Sequence, residues 1–147
     1  MTTTNCVFCK IVRGEVSTHR IFEDDETLAF LDANPLAKGH TLIIPKVHVA
    51  LLEDLGWEEA KALFKTLYML VGRVQDAVKA SASTIAVNNG AESGQEIPHV
   101  HIHIIPRFRN DGGGPIHAII RDRPHLVRDE MSQITQRIRS LLQKTTP

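Results

Sequence analysis

The segment at residues 97–107, IPHVHIHIIPR, places three histidines in strict alternation with β-branched apolar residues. This period-two pattern predicts a strand with one buried face. Because successive side chains of a strand point to opposite faces, we expect His99, His101 and His103 to project together, roughly 7 Å apart. The apolar residues between them then face the core. Pro106 lacks a backbone donor and is expected to end the strand pairing.

Hydrophobic periodicity elsewhere predicts the remaining elements of an α+β fold. Four further strands are expected at residues 20–23, 27–31, 40–45 and 83–89. The three-and-four spacing of apolar residues predicts a long central helix over residues 55–80, and a C-terminal helix over residues 126–143 that packs on the core. Hairpins, in place of a regular strand–helix alternation, indicate about five strands in one antiparallel sheet.

Length and composition favour one domain over residues 1–147. We divide it into a motif-bearing core at 1–107 and a loop with the C-terminal helix at 108–147. Lys plus Arg and Asp plus Glu both number 17, so no basic excess indicates nucleic acid as a bulk partner. The N-terminal MTTTNC does not resemble a signal peptide, and no apolar run approaches the length of a membrane span. We therefore expect a cytoplasmic protein without a membrane partner.

The three aligned histidines admit three interpretations from residue chemistry alone. The first is packing on a half-buried strand, which explains one histidine more readily than three. The second is a catalytic metal held by imidazoles, although the motif itself contains no acidic residue. The third is covalent catalysis, in which the neutral imidazole of His101 attacks phosphorus. Its two neighbouring histidines and the backbone amides of the loop at 90–95 would then hold the phosphoryl oxygens.

The pair Cys6 and Cys9 near the N-terminus has the spacing of zinc ligands. Two buried thiols or a redox pair would give the same spacing, but no βαβ pattern follows to favour the redox interpretation. Two cysteines also argue against a disulfide framework. A closed zinc site would need two more ligands from elsewhere in the chain.

Four motifs in this order resemble those of the histidine triad (HIT) family. The run HVHIHII at 99–105 is similar to the family signature, in which three histidines alternate with apolar residues. The segments FLD at 30–32, HTLIIPK at 40–46 and NNGAESGQ at 88–95 are similar to its other motifs. The resemblance covers roughly residues 5–107.

This resemblance implies a HIT-like fold and an enzyme that attacks the α-phosphorus of purine nucleotide derivatives, such as phosphoramidates. His101 would be the nucleophile of a covalent nucleotidyl-histidine intermediate, from which water releases an AMP-like nucleoside monophosphate. His99 and His103 would position the phosphate, and His40 matches the additional upstream histidine of the family. Hydrogen-bond donors can stabilise a transferring phosphoryl group, so no catalytic metal is expected.

The resemblance also implies a nucleotide site around the histidines. Asp32 matches the position that binds ribose hydroxyls, while Asn88, the backbone amide of Gly94 and the neighbouring Gln95 approach the phosphate. The side chains implied for the walls of the purine pocket are Phe8, Ile11, Phe30 and Leu42. Each of these four apolar residues is equally well explained as ordinary core.

The zinc-containing branch of the family provides the missing ligands for the cysteine pair. By that resemblance, Cys6, Cys9, His48 and His99 form a Cys2His2 site for a structural Zn²⁺ that fixes the N-terminus to the sheet. His99 would then be both a zinc ligand and a member of the histidine motif, which limits its part in catalysis.

Glu96 is the main departure from the phosphoramidase branch, which commonly has serine five residues before the nucleophile. A carboxylate there would repel the phosphate unless its side chain turns to solvent, so the preference for phosphoramidates stays open. The alternatives are a dinucleoside polyphosphate hydrolase and a nucleotide-binding regulatory protein with weak catalysis. The resemblance further implies a homodimer whose sheets continue across the interface.

Overall fold

The computed structural model of the chain describes residues 5–145. Residues 1–4 and 146–147 lie outside the described part. The N-terminal segment that does not resemble a signal peptide therefore lies mostly outside it as well. The chain divides into two compact units, the first ending at Asp111 and the second beginning at Gly112. The sequence-based division after Arg107 lies close to this boundary.

The first unit contains two helices and one five-stranded sheet. In chain order its elements are α1 (Val7–Val12), β1 (Arg20–Glu23), β2 (Thr27–Leu31), β3 (Thr41–Pro45), α2 (Trp57–Val78), β4 (Ala82–Ala86) and β5 (Ile102–Arg107). The strand order is β1-β2-β3-β5-β4, and every neighbouring pair is antiparallel. The prediction of an α+β fold with about five antiparallel strands is therefore confirmed.

The strands β2 and β3 are buried on both faces along nearly their whole length, because α2 covers one face of the sheet and α1 lies on the other. The cluster on the α2 face consists of Ala29, Ile43, Leu63, Leu70, Val74, Val100, Ile102 and Ile104. The cluster on the α1 face consists of Cys6, Phe8, Cys9, Ile11, Leu28, Phe30, Leu42 and Ile44. The apolar residues between the histidines thus pack under α2, as the alternation predicted. The period of two leaves the histidines on the face that α1 partly covers.

The histidine strand begins later and ends later than the sequence predicted. β5 starts at Ile102, because the preceding segment bonds to a loop instead of a strand, with the Val100 N–H donating to the Val49 carbonyl at 2.8 Å. Pro106 lies inside β5, opposite Ser83 of β4, so the prediction that it ends the pairing is wrong. Its missing donor is tolerated because the register with β3 ends at Ile104, which leaves β5 with one partner strand there.

Gly39, just before β3, is required by both backbone conformation and space. Its φ is +83°, and a Cβ at this position would lie 2.8 Å from Val78 Cγ1 at the end of α2. We therefore expect Gly39→Ala to lower the free energy of unfolding by about 1–3 kcal/mol in urea titrations. Gly72→Ala is the control, because no heavy atom lies within 4 Å of its added Cβ in α2. The control should be neutral or stabilising, and equal stability of both variants would contradict the packing described.

The second unit contains a short 3-10 turn (Ile116–Ala118) and helix α3 (Arg128–Thr145). The first turn of α3 is acidic, as predicted, and the Glu130 carboxylate accepts a hydrogen bond from the Val127 N–H at 3.0 Å. Its apolar side chains include Met131 and Ile138, and the expectation that this helix packs on the core stays a prediction. No helix among residues 5–145 is long and apolar enough to cross a membrane.

Candidate active site and metal cluster

His101 lies immediately before β5 with its ring held in one orientation. Its Nδ1–H donates to the backbone carbonyl of His99 at 2.7 Å, so the lone pair is on Nε2. The ring is 6% exposed, and the edge of the Phe8 ring packs on it with centroids 5.2 Å apart. A neutral imidazole with one nitrogen held by a carbonyl and the other free is the form that a histidine nucleophile needs.

A chain of hydrogen bonds fixes the two histidines beside it. The Leu36 N–H donates to His40 Nδ1 at 3.1 Å, which leaves the proton of His40 on Nε2. That Nε2–H then donates to His103 Nδ1 at 2.9 Å. His103 must therefore have its own proton on Nε2, and this buried nitrogen has no partner among the described residues. The rings of His101 and His103 are neighbours, with centroids 4.9 Å apart.

The unpartnered Nε2–H of His103 indicates where an acceptor would bind. Leaving a buried donor unsatisfied costs about 1–3 kcal/mol, so an oxygen placed there would be stabilised. Burial, together with smaller effects of the neighbouring His101 and His40, lowers the pKa of His103 to about 4. Burial also lowers the pKa of His40, although the nearby Asp32 carboxylate opposes the shift. Both rings are thus neutral at pH 7, as the hydrogen bonds require.

The lowered pKa of His103 makes the stability of the fold depend on pH. In the unfolded chain the histidine has a pKa of about 6.5 and is protonated below that pH. In the folded protein His103 becomes protonated only near pH 4, so the unfolded state binds more protons between these two pH values. The free energy of unfolding is therefore highest above pH 6.5 and decreases as the pH falls toward 4. His103 alone should account for about 2 kcal/mol of this decrease. The decrease in the urea midpoint between pH 7 and pH 4.5 should be smaller for His103→Gln than for the unmodified protein. Equal slopes would contradict this prediction.

Four donors from three separate segments converge at one end of the histidine motif. His99 Nδ1 lies 3.6 Å from both the Cys6 and the Cys9 sulfur and 3.3 Å from His48 Nδ1, and Cys9 Sγ lies 3.3 Å from His48 Nδ1. An ideal tetrahedral zinc, with bonds of about 2.3 Å to sulfur and about 2.05 Å to nitrogen, separates two nitrogens by about 3.3 Å and nitrogen from sulfur by about 3.6 Å. The donor set therefore fits a tetrahedral ion.

The protonation states at this cluster also suit a metal. His99 Nε2–H donates to the Pro45 carbonyl at 2.9 Å, which leaves the Nδ1 lone pair directed at the two sulfurs. This is the carbonyl contact that commonly orients a zinc-bound imidazole. Burial, together with the neighbouring Cys6, raises the pKa of the Cys9 thiol to about 11. This thiol would thus give up its proton only to a cation bound beside it.

The predicted pocket residues lie together beside His101. Phe8 and Phe30 pack edge to face, with ring centroids 5.8 Å apart, and Ile11 and Leu42 belong to the same buried cluster. Their burial fits ordinary core, and the contact of Phe8 with His101 brings this cluster to the edge of the histidine motif. Asp32 follows β2, and its Oδ2 lies 3.6 Å from His40 Nδ1.

The loop before the histidines is fixed by backbone hydrogen bonds and by side-chain amides. Gln95 accepts a hydrogen bond from the Gly90 N–H and donates to the Ala50 carbonyl, both at 2.8 Å. Both ends of this amide are thus bonded within the protein, so the side chain shapes the loop. Asn88 Nδ2 donates to the Gly94 carbonyl at 3.4 Å. The side chain of Glu96 is exposed, as its proximity to a phosphate site requires.

Sequence reasoning missed the backbone groups and one side chain that complete this arrangement. The missed backbone groups are the Leu36 N–H and the Pro45 carbonyl, which no residue-type pattern reveals. The missed side chain is Asn89, which accepts from the Leu52 N–H at 2.8 Å and donates to Glu53 at 2.7 Å. Asn89 lies within the NNGAESGQ motif, so its position in that motif could have identified it as a residue of this loop.

The larger cavity of the first unit lies away from these histidines. It has a volume of about 810 Å³ and is bounded by β1, β2 and the second half of α2. A smaller cavity of about 290 Å³ borders Asp32 and His40. The smaller cavity is therefore the better candidate for a ligand site, because polar site residues line it, although it has less than half the volume of the larger one.

The geometry agrees with comparisons with known proteins. A family model described as the HIT domain matches residues 13–110, and the chain belongs to this family. Protein hit from Bacillus subtilis is 35% identical over 139 residues, 92% of this chain and 96% of that protein. Adenylylsulfatase HINT3 from Arabidopsis thaliana is 44% identical over 107 residues, 73% of this chain and 54% of that protein. Adenosine 5'-monophosphoramidase HNT1 from Saccharomyces cerevisiae is 40% identical over 109 residues, 74% of this chain and 66% of that protein.

Solved structures of the family share the fold. The crystal structure of a HIT family member from Bacillus subtilis has a TM-score of 0.83 at 33% identity, covering 92% of this chain and 96% of that one. A Zn-bound histidine triad family protein from Mycobacterium smegmatis has a TM-score of 0.67 at 36% identity, covering 75% of this chain and 80% of that one. Two of the relatives above, from Arabidopsis thaliana and Saccharomyces cerevisiae, have the names of hydrolases.

Proposed function

We propose that the protein hydrolyses purine nucleotide derivatives by forming a covalent nucleotidyl intermediate on His101. The observation that supports this most is the pairing of a free Nε2 lone pair on His101 with a neighbouring buried Nε2–H on His103 that has no acceptor. A nucleophile and an unsatisfied donor side by side are suited to an electrophilic phosphorus and one of its oxygens.

The reaction proceeds in two displacements at the α-phosphorus. His101 Nε2 attacks phosphorus, the bond to the leaving group breaks, and the leaving group departs with its electron pair and takes a proton from solvent. His103 Nε2–H donates to a phosphoryl oxygen throughout, and the hydrogen bond from His40 keeps its proton on that nitrogen. Water then attacks the same phosphorus, the Nε2–P bond breaks, and nucleoside monophosphate is released.

The nucleotide would lie across the α1 face of the sheet. Asp32, beside the cavity of about 290 Å³, is placed to accept hydrogen bonds from ribose hydroxyls. Phe8, Ile11, Phe30 and Leu42 would contact the purine, and Asn88 would approach the phosphate. The Gly94 N–H, which the sequence assigned to the phosphate, donates instead to the Ala91 carbonyl at 2.9 Å. Since both ring nitrogens of His99 face protein groups, we assign it to the cluster instead of the phosphate.

We further propose that Cys6, Cys9, His48 and His99 hold a structural Zn²⁺. A closed four-ligand site contributes folding energy and leaves no open position for substrate. The proposed reaction should therefore continue in EDTA during short assays. Immediate loss of activity would instead favour a metal at the reacting centre.

A homodimer is the proposed assembly, since two features of the first unit need a partner. Trp57, Phe64 and Tyr68 are exposed along α2, at spacings that place them near one side of the helix. β4 (Ala82–Ala86) is an edge strand with unpaired backbone groups on one side. Light scattering should give twice the chain mass, and Tyr68→Asp should lower it. The cytoplasmic location stays a prediction.

A substrate panel tests the proposed function. AMP release would be measured from an adenosine phosphoramidate, adenylyl sulfate and a dinucleoside polyphosphate, with His101→Ala as the control. Turnover of any one by the unmodified protein but not by the variant supports the enzyme, and the preferred compound identifies the leaving group. Nucleotide binding with no turnover would overturn the proposal and favour a regulatory protein.

A further inference from the structure

We propose that the Cys2His2 cluster positions the nucleophile as well as stabilising the fold, and that His99 is the positioning residue that connects them. The inference rests on the proposed role of His101, but its principal readout, the orientation of the His101 ring, does not require activity. Two independent contacts lead from the cluster to this ring.

The first contact passes through His99 itself. Its ring is fixed at both nitrogens, with Nδ1 facing Cys6 and Cys9 and Nε2–H bonded to the Pro45 carbonyl. The backbone carbonyl of the same residue accepts the Nδ1–H of His101 at 2.7 Å. One fully buried residue therefore has its ring in the cluster and its carbonyl on the nucleophile.

Local backbone structure gives this carbonyl little other support. β5 begins at Ile102, so the segment from His99 to His101 lies before the sheet ladder. The His99 N–H donates to the Ile97 carbonyl two residues earlier, and the Val100 N–H donates to Val49 in the loop that contains His48. Val100 anchors the other side of the segment in the core under α2. The carbonyl on the histidine side is thus held mainly by the cluster ligands and by the loop next to one of them.

The second contact passes through α1. Phe8 lies between the two cysteines in sequence, and its ring edge packs on both His99 and His101, with centroid distances of 5.7 and 5.2 Å. α1 has six residues, far fewer than an isolated helix needs to be stable. Its position must come from tertiary contacts, among which the two cysteine ligands fix both ends of the turn that presents Phe8.

Removal of one cluster ligand should therefore disturb the orientation of His101. With the His99 ring released, the carbonyl no longer holds the Nδ1–H, and the ring can place its proton on Nε2, which is the nitrogen that must attack. The binding of ribose at Asp32 would be little affected, because that residue is held by the loop at 32–40. The expected kinetic signature is a lower kcat with a nearly unchanged KM.

The test compares Cys9→Ser and His48→Gln with Thr66→Val in the full-length protein, each purified in the presence of Zn²⁺. Thr66 is the matched control, because it is fully buried, loses one hydrogen bond to Thr27 (2.8 Å) and lies on the α2 face away from the histidines. The readouts are the imidazole ¹⁵N shifts of His101, which report the tautomer, together with kcat, KM and the melting temperature. His48→Gln provides a second variant should Cys9→Ser fail to fold.

Both ligand variants should lose the Nδ1–H tautomer and about 10²-fold in kcat, with KM changed by less than about threefold, as for a misplaced reacting group. Thr66→Val should keep the tautomer and kcat while its melting temperature falls. Ligand variants that melt earlier but match Thr66→Val in tautomer and kcat would overturn the inference, as would an unmodified protein that binds no zinc. A changed tautomer in a protein without turnover would support the positioning role and refute the proposed function.

Discussion

Replacement of His101 by alanine is expected to lower kcat for AMP release by at least about 10⁴-fold. The imidazole is the proposed attacking group, and removing a covalent nucleophile leaves only the donors and binding contacts around the substrate. Because His101 accepts no hydrogen bond at Nε2 and lies at the end of the buried segment, the variant should still bind nucleotide. Single-turnover kinetics and nucleotide titration of the same preparation would measure both effects.

A second histidine-to-alanine variant, outside the motif, shows whether the loss of any imidazole lowers the activity. His19 is exposed and precedes β1 by one residue, away from the motif. His19→Ala should keep kcat and KM within about twofold, in line with surface substitutions that touch no functional group. A His101→Ala protein with more than a tenth of the original activity would contradict the assignment of this residue.

Loss of the cluster should have the largest effect on stability. Cys9→Ser is expected to lower the free energy of unfolding by about 3–5 kcal/mol, which is roughly 10 °C in melting temperature for a chain of this size. The variant removes one ligand and leaves the buried Cys6 and His99 and the half-buried His48 around an incomplete site. Metal analysis should give one zinc per chain in the unmodified protein and much less in the variant.

The metal-free form of the unmodified protein is the appropriate control for this prediction. If the ion is what stabilises the fold, chelator-treated protein and Cys9→Ser should melt within a few degrees of each other, and added Zn²⁺ should restore only the former. Zinc content near zero in freshly purified protein, together with an unchanged melting temperature in Cys9→Ser, would eliminate the structural metal.

Secondary structure was predictable where local pattern and tertiary environment agree. The hairpin of β1 and β2 matches its predicted bounds, since acidic turn residues separate two short β-rich runs. The start of β5 was not predictable, because the HVH part of the motif alternates like a strand but bonds to the loop at Val49. Pro106 was also misjudged, since its tolerance depends on how far the neighbouring strand extends.

For the candidate site, too, some features could be predicted from the sequence and others could not. Residue types and motif order selected His40, His99, His101 and His103 as candidate catalytic residues, a selection that stays a prediction, and the cysteine spacing was enough to suggest a metal. The tautomers could not be predicted, because they are set by the backbone groups of Leu36, His99 and Pro45, whatever side chains those residues have. For the same reason, only the structure reveals that both nitrogens of His99 are occupied.

The most direct test of the account is mass spectrometry of protein quenched during turnover of an adenosine phosphoramidate. The account predicts an acid-labile adduct with the mass of an adenylyl group, mapped by fragmentation to His101 and absent from His101→Ala. An actively turning over protein without any such adduct, or with the adduct on a different residue, would contradict it.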